Sequence, residues 1–141
     1  MNTPVEDAKQ AVVPGSCLCG AVRFEVKLPT RFCVHCHCSM CRRNHGAAFV
    51  TWIGVPKTSF RVTCGEPNLT RYQSSDHGNR SFCSRCGTSL FCELDRDPDT
   101  VDVTMASMLG PIDQAPQAHV YFDTHVEWVR LFDNLPKVDA P

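Results

Sequence analysis

Polar and apolar positions alternate along much of this chain. Over residues 20–28, Val22, Phe24 and Val26 interleave with Arg23, Glu25 and Lys27, the period of two that marks a strand with one wet face. Residues 58–63 alternate in the same way, and Cys64-Gly65-Glu66-Pro67 follows as a turn. Residues 47–55 (AAFVTWIGV) are rich in β-branched and aromatic side chains and predict a buried strand. Residues 68–73, 88–94, 100–106 and 118–122 predict four more. The helix candidate is short, Thr124 to Leu131. Residues 1 to about 14 have no periodicity and predict a flexible arm, followed by one domain over residues 15–137. The pattern is that of mostly antiparallel β-structure with long loops.

Those loops carry cysteine: ten in 141 residues. A disulfide framework and a metal site are the competing readings. The N-terminus, MNTPVEDAKQAVVPG, has neither the basic nor the apolar stretch of a secretory signal, which predicts a cytoplasmic protein, where thiols stay reduced. Spacing also favours metal. Cys17-Leu18-Cys19 and Cys36-His37-Cys38 place two thiols one residue apart. Disulfide geometry disfavours a bridge between such neighbours, whereas two thiolates can reach one ion.

Zinc takes thiolate sulfur in tetrahedral array, and structural sites close with four protein ligands. The best downstream knuckle is Cys83-Ser84-Arg85-Cys86-Gly87, with glycine where a metal-wrapping turn needs positive φ. Upstream, Cys17-Leu18-Cys19-Gly20 is one candidate, and pairs within Cys33-Val34-His35-Cys36-His37-Cys38-Ser39-Met40-Cys41 are others. One ion cannot use all six donors of that second run. If Cys17, Cys19, Cys83 and Cys86 close one site, the run holds a second. Cys36, Cys38 and Cys41 alone would leave a position open to water or substrate, the usual arrangement of a catalytic zinc. Cys33 or a histidine would close it. Spacing leaves both possibilities standing.

The run Gly15-Ser16-Cys17-Leu18-Cys19-Gly20-Ala21-Val22-Arg23-Phe24 resembles the opening of the glutathione-dependent formaldehyde-activating enzyme family, whose domain also occurs in centromere protein V. Cys36-His37-Cys38-Ser39-Met40-Cys41-Arg42-Arg43 resembles its C-H-C-x-x-C-R signature. Tyr72 to Ser75 with Arg80 to Leu90 resembles a third block, and His119 to Phe122, Trp128 and Asp133 to Pro136 a last one. The blocks fall in order from residue 15 to about 137. The resemblance implies a mainly β fold, the β-tent of small zinc proteins, with two zinc ions per chain. Cys17, Cys19, Cys83 and Cys86 then match the structural ligands, and Cys36, Cys38 and Cys41 the catalytic-type site. It implies a carbon–sulfur lyase acting on thiol adducts such as S-hydroxymethylglutathione, with a small-molecule thiol such as glutathione as partner.

The charges bear on partners. Fourteen Lys and Arg face fifteen Asp and Glu, for a net charge of −1, so no global field draws the chain to nucleic acid or an anionic membrane. This weighs against a non-catalytic binding module for a macromolecular partner. A third reading, a methionine sulfoxide reductase of the B type, needs a reactive cysteine late in the chain, for which Cys92 is the candidate, and leaves the C-H-C-x-x-C run unexplained. Arg42, Arg43 and Arg80 are candidates for substrate carboxylates, with surface charge or a donor to sulfur as the plainer role. Ser74 and Ser75 read as substrate donors or turn caps, and His35, His37 and His45 as acid–base candidates. Tyr72, Phe49, Trp52 and Phe91 read as core, and Cys64 and Cys92 as small buried hydrophobes.

Overall fold

The computed structural model describes residues 11–141. Eleven strands fall in two sheets. The smaller has three strands in the order β1 (Val12–Ser16), β2 (Arg23–Lys27) and β5 (Phe60–Cys64). The larger contains β3 (Phe32–Cys36), β4 (Val50–Pro56), β6 (Leu69–Ser75), β7 (Gly78–Cys83), β8 (Ser89–Leu94), β9 (Thr100–Thr104), β10 (His119–Val120) and β11 (Lys137–Val138), in the order β11-β10-β3-β4-β9-β8-β7-β6. Its pairs are antiparallel except at β10, which runs parallel to both β3 and β11. No helix among the described residues is long and apolar enough to cross a membrane.

The mainly β expectation holds, and so do the strands predicted from alternation. Strands β3, β7 and the short β11 stand where none is predicted, and three further elements differ. The segment read as an arm is a strand from Val12 onward, held by the full register of β1 against β2; the rest of that segment lies outside the described residues. A helix, α1 (Ser39–His45), stands where none is predicted. It lacks an apolar stripe, burying only Cys41, and is held by its ends. Cys38 is its N-cap, with Sγ accepting from Cys41 N at 3.3 Å, and Gly46 ends it in the left-handed region. The helix predicted from Thr124 to Leu131 does not form. Phe122–Thr124 is a single 3-10 turn, and turns and bends follow it. Trp128, which would have anchored an apolar stripe, is 75% exposed, and a short helix with no face to bury is not stable in water.

Register gives the large sheet two distinct faces, because residues side by side across a sheet point the same way. Cys33, Ile53, Val103, Phe91 and Ser81 form one transverse row. This face packs on Val13, Phe24 and Val26 of the small sheet and makes the core. Phe24, Phe60 and Phe91 join the sheets, Phe91 meeting the other two rings edge-on at 4.9 and 4.7 Å. Such pairs add about 0.5–1.5 kcal/mol each beyond the area they bury. The neighbouring row, Phe32, Gly54, Asp102, Cys92, Arg80 and Tyr72, lies on the opposite face. Gly54 is required there: a Cβ would stand 2.1 Å from the Phe32 ring.

Gly65 ties the small sheet to the first cysteine loop. Its φ is +79°, and a Cβ would come within 1.7 Å of the Ala21 carbonyl oxygen. Neither contact can relax without moving the backbone beside Cys19. Gly65→Ala is therefore expected to destabilise the protein by about 2 kcal/mol or more, read as a lowered denaturant midpoint, with partial metal loss.

Candidate metal centres and the adjoining cavity

The structure brings the cysteines together in two clusters. The sulfurs of Cys17, Cys19, Cys83 and Cys86 lie within 4.8 Å of one another, and so do those of Cys36, Cys38 and Cys41. Tetrahedral sulfur at a Zn–S length of about 2.3 Å implies S···S separations near 3.8 Å. Cys17 and Cys19 stand 3.7 Å apart, Cys19 and Cys83 3.8 Å, and Cys36 and Cys41 3.5 Å. Both sets fit a thiophilic divalent ion.

The four-sulfur cluster is built from two knuckles, each closed by a glycine in the left-handed region, Gly20 and Gly87. Val22 N donates to Cys17 Sγ at 3.3 Å. The Thr88 hydroxyl lies 3.1 Å from Cys86 Sγ and accepts from Leu18 N at 3.0 Å, stitching one knuckle to the other. That hydroxyl, with the backbone N–H groups of Thr88 and Cys19, brings the Cys86 thiol down to about 5. Cys17 and Cys83 are sealed in the hydrophobic core.

The three-sulfur cluster sits at the other face. Cys36 ends β3, Cys38 caps α1, and Cys41 lies in its first turn. Hydrogen bonds from the neighbouring Cys36 and Cys41 thiols hold Cys38 well below the usual thiol range, and the same contacts push Cys36 up. Arg80 faces the trio, and both of its terminal nitrogens donate to Cys41 Sγ at 3.5 Å. Of the sequence candidates for Arg80, the donor to sulfur is the role the structure gives.

All three sulfurs line a cavity of about 680 Å³. Trp52 is buried in a hydrophobic cluster, as expected, and also walls the cavity; Tyr72, also expected as core, is 62% exposed. Cys92 lies in the cavity with its thiol pushed up to about 12 by burial, the reverse of an activated nucleophile. Cys64, expected buried, is exposed at the end of β5. Cys33 is fully buried on the core face, 3.7 Å from Met105 Sδ, and stands apart from the trio. Ser74 and Ser75 serve the β6–β7 turn, bonding Gly78 O and His77 N.

The histidines take supporting places. His35 bonds Thr51 at 2.8 Å. His37 Nε2 meets His119 Nδ1 at 2.8 Å, and His119 Nε2 meets Asp133 at 3.0 Å. This chain, buried at His37 and His119 and exposed at Asp133, anchors the loop between Cys36 and Cys38 to the C-terminal segment, where Thr124 also donates to His37 O at 3.1 Å. Sequence alternation left His119 and Asp133 without a role, since the histidine they lead to, His37, lies 82 residues before His119. It also passed over Asp102, whose one signal is an acid amid the apolar positions of TVDVT. Burial pushes the Asp102 carboxyl up to about 7.

His45 packs edge-on against Trp52 at 5.3 Å. Burial, aided by the Arg80 charge, lowers it to about 4. An unfolded histidine titrates near 6.5, so the unfolded chain binds the extra proton between these values. The His45 contribution to stability is complete above about pH 6.5 and is lost as pH falls toward 4. His45→Leu is expected to flatten the acid limb of a stability–pH curve relative to the parent, measured by chemical denaturation in that window.

The family model described as glutathione-dependent formaldehyde-activating enzyme matches residues 12–124. A Halomonas elongata protein named as a putative glutathione-dependent formaldehyde-activating enzyme is 28% identical over 127 residues, covering 85% of this chain and 81% of its own. An uncharacterized lyase of Schizosaccharomyces pombe is 35% identical over 79 residues, covering 55% and 54%. A crystal structure of a Rhodobacter sphaeroides protein superposes with a TM-score of 0.60 at 33% identity, over 71% of this chain and 91% of that one. With the two sulfur clusters and the sheet that carries them, these matches make the chain a member of the glutathione-dependent formaldehyde-activating enzyme family.

Proposed function

We propose that this protein is a zinc-dependent carbon–sulfur lyase acting on small thiol adducts, with S-hydroxymethylglutathione as the reference substrate suggested by the family's description. The observation that carries the reading is the contrast between the clusters. One has four sulfurs, two of them sealed in the core. The other has three, and they face a ligand-sized cavity. We assign the first as structural zinc and the second as the reactive centre.

Zinc at the three-cysteine centre would supply a fourth position that holds a substrate sulfur as thiolate. The chain's own residues set up the rest. Arg80 offsets the excess negative charge of the trio from the buried side, through charge-assisted bonds to Cys41. The cavity walls hold the adduct away from bulk water. Cleavage breaks the carbon–sulfur bond with its electron pair left on sulfur. The adduct's hydroxyl proton departs to solvent as the carbon–oxygen bond becomes a carbonyl. Addition is the reverse. The cytoplasm, where low-molecular-weight thiols are reduced, is the setting this chemistry requires.

Anaerobically purified protein is expected to hold two zinc ions per chain, and one site is expected to gain a sulfur scatterer in X-ray absorption when glutathione is added. One zinc, or two sites indifferent to thiol, would favour a non-catalytic module instead. Cys36→Ser should remove one zinc and abolish adduct cleavage while the fold persists. Cys83→Ser should cost at least about 3 kcal/mol of stability. Equal unfolding of both variants would sink the division of roles.

A further inference from the structure

We propose that the cavity beside Cys36, Cys38 and Cys41 selects thiol adducts with an apolar body in preference to the doubly carboxylated glutathione. The proposal rests on the lyase reading and narrows its substrate class.

The walls that rise from the three sulfurs are Phe32, Val34, Trp52, Leu94, Val120 and Tyr121. They follow from the sheet's register: Phe32 and Val34 on β3, Trp52 on β4 and Leu94 on β8 point to the face away from the core, and β10 closes the side. A thiol seated on the sulfur trio must lay the rest of its length along these groups.

Glutathione carries two carboxylates and an ammonium, and each needs a partner once water is displaced. Among the described residues lining the cavity, the full cations are Arg80 and Arg96. Arg80 is buried and turns both terminal nitrogens to Cys41, so its charge is already matched to the sulfur trio. Arg96 is exposed at the mouth, 5.8 Å above the Tyr121 ring and flanked in sequence by Asp95 and Asp97. One guanidinium between two acids does not match two carboxylates. On the floor, Asp102 would repel an anion when ionised. Its carboxyl is pushed up to about 7 by burial, which reports how poorly this space solvates charge. An alkyl or aryl thiol adduct meets none of these penalties and covers Trp52, Leu94 and Tyr121.

The test is calorimetric binding to the zinc-loaded protein under anaerobic conditions, with phenylmethanethiol and glutathione as probes, alongside cleavage of their hydroxymethyl adducts. Phenylmethanethiol should bind about 10-fold more tightly or better. Leu94→Arg, which sets a cation into the apolar wall, should shrink or invert the gap; Tyr121→Arg replaces it should the first variant not fold. Equal or tighter binding of glutathione overturns the apolar preference and leaves the lyase reading intact. A preference for phenylmethanethiol that no wall variant alters also overturns it, since the thiol then sits elsewhere. Absence of both binding and cleavage for either thiol overturns this inference and the lyase reading together.

Discussion

The convergence of four sulfurs, from two loops more than sixty residues apart, is the constraint on which the rest of this structure depends. Cys17 and Cys19 leave the small sheet at the end of β1, and Cys83 and Cys86 leave the large sheet at the end of β7. Their meeting pins one sheet to the other at a corner, where backbone N–H groups would otherwise be left without partners. The Thr88 hydroxyl and the glycine turns are local devices that aim the sulfurs inward. The aromatic contacts of Phe24, Phe60 and Phe91 then fill the space between sheets whose relative position is already fixed.

From that corner the large sheet does two jobs with alternate residues. The row through Cys33, Ile53, Val103 and Phe91 is spent on the core. One residue along each strand, the row through Phe32, Asp102, Cys92 and Arg80 meets the sulfur trio. A slip of one residue in any of these strands would exchange the two sets, so the same hydrophobic pattern that holds the sheets together also places Arg80 beneath Cys41. Site and core are opposite sides of one register.

Much of this was legible in the chain. Alternation located β2 and β5, and β-branched and aromatic content located β4, which is buried on both faces. The cysteine spacings pointed to metal, and the resemblance of four ordered blocks chose between ligand sets that spacing alone left open. What escaped was held by something other than periodicity. The helix α1 is defined by a sulfur cap and a terminal glycine, not by a stripe. The strand β1 contains Pro14 and Gly15, which argue against a strand until the pairing with β2 is seen. Tyr72 looks like core by composition and is exposed because β6 is the edge strand of its sheet. The His37–His119–Asp133 chain links positions that no local window contains.

That last chain also sets an order of assembly. All four sulfurs of the corner have been synthesised once Cys86 is clear of the ribosome, while the last two-fifths of the protein, with β8 to β11, is still being made. The three-cysteine loop is complete in sequence long before that, yet His119, Asp133 and the strand that closes the side of the cavity arrive last. A nascent chain therefore holds all four sulfurs of its first cluster before the cavity beside its second is finished. The thiols of Cys36, Cys38 and Cys41 pass through an interval in which nothing from the C-terminal segment yet shelters them.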